Sequence, residues 1–230
     1  MSYRAVIFDL FGTLVDNFTK SAHEAVLVEM AARLGAPGPA FVAAWLDSYE
    51  LRNRGAFPSA RENIEYVCRA LQYEPAAEAL TAAAEMRLDF TRRYLNGPRA
   101  DAVPTLILLR QMGHVLGLVS DCAAEVPTLW ESTVFAPLIT APVFSCAVKM
   151  KKPEPGIYRL ACTRLDVAPE ECLYVGDGSS HELTGAAAVG MHPVLIRMAH
   201  EENEDSYRPD EDTWEGDTVR CLAEVVAFAG

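Results

Sequence analysis

The sequence lacks the features that mark several large classes of protein. It has no apolar run of membrane-spanning length, and its opening residues contain no basic segment followed by a long apolar one. Its six cysteines include no C-x-x-C pair, which disfavours a zinc site or a disulfide framework. We therefore expect a cytoplasmic protein with reduced, partly buried thiols.

Basic residues are also scarce. The 230-residue chain has 20 Lys and Arg against 32 Asp and Glu, and its formal net charge is −12. This balance disfavours a nucleic acid or an anionic membrane as partner, because no basic stripe offsets the overall repulsion. A pocket can still be locally positive, so we expect a small-molecule substrate, anionic or phosphorylated, and a monomer or homodimer.

Short apolar runs bounded by turn residues recur along the chain. They are rich in Val, Ile, Leu and Phe, which is typical of strands buried on both faces. From residue 100 onward they alternate with helical patterns, which predicts an α/β fold with a doubly wound, Rossmann-like parallel sheet. The predicted strands are 3–9, 114–120, 141–146, 172–177 and 192–197.

The alternation is interrupted between residues 17 and 97 by amphipathic helical patterns. We predict an all-helical cap over 17–97, inserted into a core domain formed by 1–16 and 98–230. After the last strand, the acidic stretch 200–217 reads as a solvated loop and 218–230 as a final helix. The predicted cap helices are 19–34, 39–52, 59–72 and 75–95.

Polar side chains follow the predicted strands at the edge where ligands bind in open parallel sheets. Asp9 and Asp177 offer hard oxygen ligands to a divalent cation, with water completing the shell. Lys152 would offset the charge of Asp9 and of phosphoryl oxygens, and Ser120 would hydrogen-bond one of them. Together these residue types suit the binding of a phosphoryl group with a metal.

The order of these residues is recognisable. The chain resembles the haloacid dehalogenase-like (HAD) superfamily of hydrolases, most of which are phosphatases, and the helical insertion resembles the C1-type cap of that superfamily. The resemblance spans almost the whole chain. It is carried by "DLFGT" at 9–13, Ser120 after "VLGLV", Lys152 in "KKPEPGIY", and "VGDGSSHEL" at 175–183.

The resemblance implies a role for each of these positions. Asp9 would attack phosphorus to give an aspartyl-phosphate. The carboxylates of Asp9 and Asp177 and the backbone carbonyl of Phe11 would bind Mg²⁺, and Glu182 would support the metal through water. The remaining three residues would act on the phosphoryl group: Thr13 and Ser120 would orient its oxygens, and Lys152 would steady the nucleophile and the transition state.

One position departs from the phosphatase pattern. Phosphatases of this superfamily usually carry an Asp two residues after the nucleophile as general acid and base, and here that residue is Phe11. The related 2-haloacid dehalogenases usually have an aromatic residue there, because a halide leaves without a proton. Those dehalogenases work without metal and usually lack the motif-four acids, whereas this chain keeps Asp177 and Glu182.

Three functions are compatible with an aromatic residue at position 11 and retained acids at positions 177 and 182. The chain can be a Mg²⁺-dependent phosphohydrolase, a dehalogenase-like enzyme acting on a small carboxylate, or a non-catalytic scaffold that binds a ligand or a protein. A phosphohydrolase could use His23, His181 or Glu125 as a substitute acid. In the cap, Arg52 and Arg54 are candidates for binding an anionic substrate tail, and the junctions near 16–19 and 96–100 are candidate hinges for cap closure.

Overall fold

A parallel sheet of six strands forms the centre of the molecule. The computed structural model describes residues 3–198, 208–210 and 213–230, and the strand order is β3-β2-β1-β4-β5-β6 with every neighbouring pair parallel. This confirms the predicted α/β, Rossmann-like class. The strands are β1 (Ala5–Phe8), β2 (Val115–Ser120), β3 (Ala141–Phe144), β4 (Cys172–Gly176), β5 (His192–Ile196) and β6 (Thr218–Val219).

Helices cover both faces of this sheet, which is why its strands are apolar almost throughout. In β1, Val6 and Phe8 pack into one buried cluster, while Ala5 and Ile7 pack into the other. The alternation follows from the two-residue period of a strand. The helices of this layer are α6 (Ala102–Gln111), α7 (Glu125–Leu129), α8 (Ser145–Val148), α9 (Pro155–Leu165), α10 (Glu182–Ala188) and α11 (Val225–Ala229).

The end of the chain differs from its prediction. The stretch 218–230 was expected to be one helix, but it contains β6, a 3₁₀ turn and the short helix α11. Thr218 and Val219 are β-branched and pair with Leu195 and Ile196 at the sheet edge, where a free row of backbone groups is available. Most of the acidic stretch 200–217 lies outside the described residues.

Five helices lie between β1 and α6 and enclose a buried cluster of their own. The predicted helix 39–52 is two helices, which meet at Ser48. Thr19 caps the first helix by accepting a hydrogen bond from the N–H of Ala22, and Gly35 ends it with a φ of 74°. The helices are α1 (Lys20–Leu34), α2 (Gly38–Asp47), α3 (Tyr49–Asn53), α4 (Ala60–Ala70) and α5 (Ala77–Leu95).

The chain enters and leaves this helical insertion at one place. Val15 and Pro98 form an isolated antiparallel bridge, and the N–H of Arg99 donates to the carbonyl of Leu14. The Arg99 side chain also pairs with Asp16 at 3.1 Å. The two connections therefore lie side by side, while the domain limits at 16/17 and 97/98 stay a prediction.

No helix in the described part of the chain is both long enough and apolar enough to cross a membrane. All six cysteines are free, and all but Cys221 are buried, as expected for reduced thiols.

Candidate active site

Asp9 follows β1 directly and begins a tight turn. Its N–H donates to the carbonyl of Val175 on the neighbouring strand, which fixes where the carboxylate emerges. Gly12 adopts a φ of +84°, and a Cβ on it would collide with the Asp177 carboxylate. The glycine of "DLFGT" therefore allows both the left-handed turn and the close approach of the two acids.

Lys152 joins two buried carboxylates. Its Nζ lies 2.5 Å from Asp9 Oδ1 and 2.5 Å from Glu182 Oε2. Glu182 also accepts hydrogen bonds from the Tyr174 hydroxyl at 2.8 Å and from the Gly178 N–H at 3.0 Å. Each carboxylate oxygen of Glu182 is thus held, which fixes the acid beneath the strand ends.

Burial and charge oppose each other within this group. Burial raises the pKa of Asp9 to about 6, although Lys152 acts to lower it. Burial likewise raises the pKa of Glu182 well above its usual range against the pull of Lys152. Burial acts to lower the pKa of Lys152, but the carboxylates of Asp9 and Glu182 outweigh it and hold that pKa well above its usual range. Lys152 is therefore a permanent cation here.

Asp177 has partners that the sequence did not suggest. Its Oδ1 accepts from the Ser179 N–H, and its Oδ2 accepts from Asn17 Nδ2 at 3.0 Å. The Nε of Arg208 also lies 2.8 Å from Oδ2, with both side chains buried. The sequence around Arg208 is acidic, and an arginine in such a stretch gives no indication that it contacts Asp177.

The prediction of a solvated loop over 200–217 is wrong for Arg208 and Asp210, which are both buried. Asp210 accepts hydrogen bonds from the N–H groups of Leu183 and Thr184 and from the Thr184 hydroxyl. It thereby satisfies donors at the start of α10, where the helix has no backbone acceptors of its own. These hydrogen bonds hold residues 208–210 against the start of α10. They thereby place Arg208 beside Asp177.

Several buried oxygens at the strand ends have no hydrogen-bond partner among the residues that the structure describes. They are Asp9 Oδ2, Thr13 Oγ1, Ser120 Oγ and Asp121 Oδ2. Unsatisfied buried oxygens are costly, so a ligand or solvent that completes them is expected. The two hydroxyls can donate to an anion, and the two carboxylate oxygens can bind a cation.

The donors present also suit a divalent metal. Asp9, Asp177 and Glu182 each offer a carboxylate oxygen, and these oxygens lie within 4.8 Å of one another. Asp9 Oδ2 has no partner in the described chain, and Asp177 Oδ1 accepts a hydrogen bond from the Ser179 N–H. Hard oxygens in this number fit Mg²⁺ with water in its remaining positions.

A cavity of about 750 Å³ opens above Asp9 and Lys152, between the sheet edge and the helical insertion. Arg52 lines it and is buried, as is Arg87, which sequence reasoning missed. Arg54 is not among its lining residues. It is exposed and pairs with Glu154 at 2.6 Å, so the structure does not support its role as a tail-binding residue.

Phe11 projects an aromatic ring where most phosphatases of the resembled family place an acid. The ring is half-buried, lines the cavity, and packs on Phe18 with ring centroids 4.8 Å apart. Nothing in this contact can give or take a proton.

The three proposed substitute acids lie along the same cavity. Burial lowers the pKa of His23 to about 3, and the positive charges of Arg87 and Arg52 contribute to this shift. His23 is therefore neutral at physiological pH and has no imidazolium proton to give. Glu125 is buried, and its carboxylate is paired with Arg87 at 2.8 Å rather than free to face a leaving group. His181 lies 3.3 Å from Asp210 and remains half exposed.

Known proteins resemble this chain in sequence and in fold. A family model described as haloacid dehalogenase-like hydrolase matches residues 3–190. The chain is 32% identical over 168 residues to a glyceraldehyde 3-phosphate phosphatase of Methanopyrus kandleri, covering 71% of each chain. It is 27% identical over 230 residues to (S)-2-haloacid dehalogenase 1 of Pseudomonas sp. (strain CBS-3), covering 90% of this chain and 89% of that protein. The crystal structure of a HAD phosphatase from Thermococcus onnurineus matches with a TM-score of 0.64 at 21% identity, over 99% of this chain and 98% of that one.

Proposed function

Because the chain belongs to the haloacid dehalogenase-like hydrolase family, we propose that it is a Mg²⁺-dependent phosphohydrolase. It would act through an aspartyl-phosphate on a small phosphorylated metabolite. The observation that carries this proposal is the cluster of three buried carboxylates within 4.8 Å, formed by Asp9, Asp177 and Glu182. Oxygens in this arrangement suit Mg²⁺, which a metal-free dehalogenation would not use.

In this proposal Asp9 is the nucleophile. Lys152 lies 2.5 Å from its Oδ1 and would steady that oxygen as it attacks phosphorus, while Oδ2, which has no partner in the described chain, would be left for the metal. The hydroxyls of Thr13 and Ser120, which have no partner in the described chain, would donate to the phosphoryl oxygens. Mg²⁺, held by Asp9, Asp177 and the Phe11 carbonyl, would supply positive charge at the transferring group.

The leaving group sets the range of substrates. With Phe11 at the position of the general acid, the departing oxygen receives no proton from that residue, and such a loss is worth about 10² to 10⁴ in rate. We therefore expect the best substrates to be phosphates with good leaving groups, such as acyl phosphates.

The test is a panel of alkyl phosphates, acyl phosphates and 2-haloacids, each assayed with Mg²⁺ and with EDTA. Phosphate release that depends on Mg²⁺ supports the proposal. Halide release that is indifferent to EDTA overturns it. Binding of the panel compounds without any turnover would support the non-catalytic scaffold instead.

A dehalogenase acting on a small 2-haloacid is the second candidate, and Phe11 is the observation that favours it. Expelling a halide needs no proton, so an aromatic residue at this position costs such a reaction nothing. The cavity end that faces Arg52 could receive the carboxylate of a haloacid.

Phe11→Asp is expected to raise the rate of alkyl phosphate hydrolysis about 10²-fold, because it restores a proton donor beside the leaving group. The gain should be largest for alkyl phosphates and close to absent for acyl phosphates, whose leaving groups need no proton. Steady-state phosphate release measures both. Phe18→Leu, which alters the packing partner of Phe11 without adding an acid, is the control, and an equal gain on both substrate classes would contradict this reasoning.

Arg208→Gln is expected to tighten Mg²⁺ binding about 3- to 10-fold, because a guanidinium 2.8 Å from Asp177 Oδ2 repels a second cation. Calorimetric titration of Mg²⁺ into the wild type and the variant measures the change. Arg4→Gln, which removes an exposed ion pair with Glu171, is the control. Weaker Mg²⁺ binding in Arg208→Gln would show instead that Arg208 orients Asp177 for the metal.

A further inference from the structure

A group of polar side chains on the insertion side of the cavity has no assigned role. His23 comes from α1, Arg52 from α3, and Arg87 and Thr91 from α5. We call these four residues the cap wall. All four line the same cavity as Asp9 and Lys152.

The cap wall contains buried polar atoms that no described residue satisfies. Arg87 Nη1, Thr91 Oγ1 and His23 Nε2 each lack a hydrogen-bond partner in the described part of the chain. Arg87 is only 6% exposed and Thr91 only 1%, so bulk water does not satisfy them freely. Arg87 Nη1 and the Thr91 hydroxyl can both donate, and two unsatisfied donors on one wall of a cavity indicate a ligand with oxygen acceptors.

The orientation of Arg87 is fixed by its surroundings. Its Nε donates to Glu125 at 2.8 Å, and its guanidinium lies 5.3 Å from the ring centroid of Phe90 and 5.4 Å from that of Trp45. Arg52 lies over the same Trp45 ring at 4.9 Å and donates to the Trp45 carbonyl. Two guanidinium groups therefore share one aromatic platform, which orients them without neutralising them.

The charge of this wall is positive. Arg52 and Arg87 carry one charge each and Glu125 offsets one of them, so a single positive charge remains uncompensated among these three buried groups. Burial lowers the pKa of Arg52 to about 10, and the positive charge of Arg87 contributes to this shift. Such a shift is expected where like charges are held together out of water. A bound monoanion would relieve this repulsion.

We propose that the cap wall is a second anion subsite that binds a carboxylate of the substrate, with Arg87 and Thr91 as its specificity-determining residues. The carboxylate would accept from Arg87 Nη1 and the Thr91 hydroxyl, with Arg52 supplying charge. The phosphoryl group would lie at the other end of the cavity, at Asp9. This inference rests on the proposed phosphohydrolase function and defines its substrate class as phosphorylated carboxylic acids.

Matched acid and amide substrates test the subsite. The probes are ω-phosphooxy carboxylates with two to four carbons and the corresponding carboxamides, which have the same size and nearly the same leaving group. Wild-type kcat/KM should favour the acid over the amide about 10- to 100-fold, the range expected for hydrogen bonds to a charged group. Thr91→Val and Arg87→Met should remove most of this preference, measured within each variant as the ratio of kcat/KM for the acid to kcat/KM for the amide.

Controls separate recognition from stability. Arg87→Met leaves Glu125 buried without its partner, so the double variant Arg87→Met/Glu125→Gln is measured beside it. Arg93→Met, an exposed arginine of the same helix, should keep the full acid preference. An acid preference that is unchanged in Thr91→Val and in the double variant would overturn the subsite.

Failure of the proposed reaction is distinguishable from failure of the subsite. Binding of glutarate and of glutaramide is measured by ligand-observed NMR, which needs no turnover. If no phosphate is released but glutarate binds in preference to glutaramide and loses that preference in Thr91→Val and the double variant, the subsite stands and the phosphohydrolase assignment falls. Equal binding of the two probes to the wild type would overturn the subsite itself.

Discussion

Asp9→Asn should abolish phosphate release, lowering kcat by at least about 10⁴-fold, because an amide oxygen is a far weaker nucleophile than a carboxylate. The substitution keeps the shape of the side chain, so Thr13, Ser120 and Lys152 keep their places. Substrate binding should survive, since the phosphoryl donors remain. Single-turnover phosphate release and calorimetric binding of an acyl phosphate analogue measure the two effects separately.

The same substitution is expected to leave the fold intact. Three carboxylates are buried near one ammonium in this group, and burial already raises the pKa of Asp9 to about 6, so removing one negative charge costs the folded state little. Asp16→Asn is the control, because Asp16 belongs to the same segment but is an exposed partner of Arg99. Asp9→Asn retaining a tenth of wild-type activity would exclude Asp9 as the nucleophile.

Lys152→Met should affect both stability and activity. It removes the ammonium that lies 2.5 Å from both Asp9 and Glu182, and breaking a buried ion pair by removing one partner typically costs about 3–5 kcal/mol. Loss of a fixed positive charge at the transferring group should also lower kcat about 10³-fold. Urea denaturation and phosphate release at saturating Mg²⁺ measure the two effects.

The neighbouring lysine provides a matched control. Lys151 pairs with Glu50, whose side chain is exposed, so Lys151→Met should change the free energy of unfolding by less than about 1 kcal/mol. Equal destabilisation by the two substitutions would mean that the buried network around Lys152 contributes no more than a surface pair.

The parts of the fold that sequence reasoning predicted are those with local signals. The first five strands are short apolar runs with turn residues at their ends, and the residues that follow them are polar. Asp9, Lys152, Asp177 and Glu182 therefore stood out before any contact was known, and the structure brings their side chains together. The strand β6 was missed because two residues are too few to show the alternating hydrophobic pattern of a strand. They become a strand only by pairing with the free edge of β5.

The contacts that the sequence did not reveal are all distant in the chain. Arg208 reaches Asp177 only because Asp210 caps α10, and an arginine in an acidic stretch is ordinarily a solvated residue. Arg87 lies in the middle of a helix whose pattern is otherwise that of a helix packed in a bundle. Its partner Glu125 is 38 residues away, and no local pattern could join the two.

The bridge between Val15 and Pro98 has a consequence for how new specificities can arise in this protein. Because the chain enters and leaves the helical insertion at adjacent positions, the whole insertion is topologically a single loop. The strand register of the sheet and the Asp9–Lys152 pair both lie outside that segment, although Asn17 within it donates to Asp177. Under the proposed function, recognition by the cap wall and bond cleavage at Asp9 would thus be encoded in separable stretches of the gene, joined at two points that already touch.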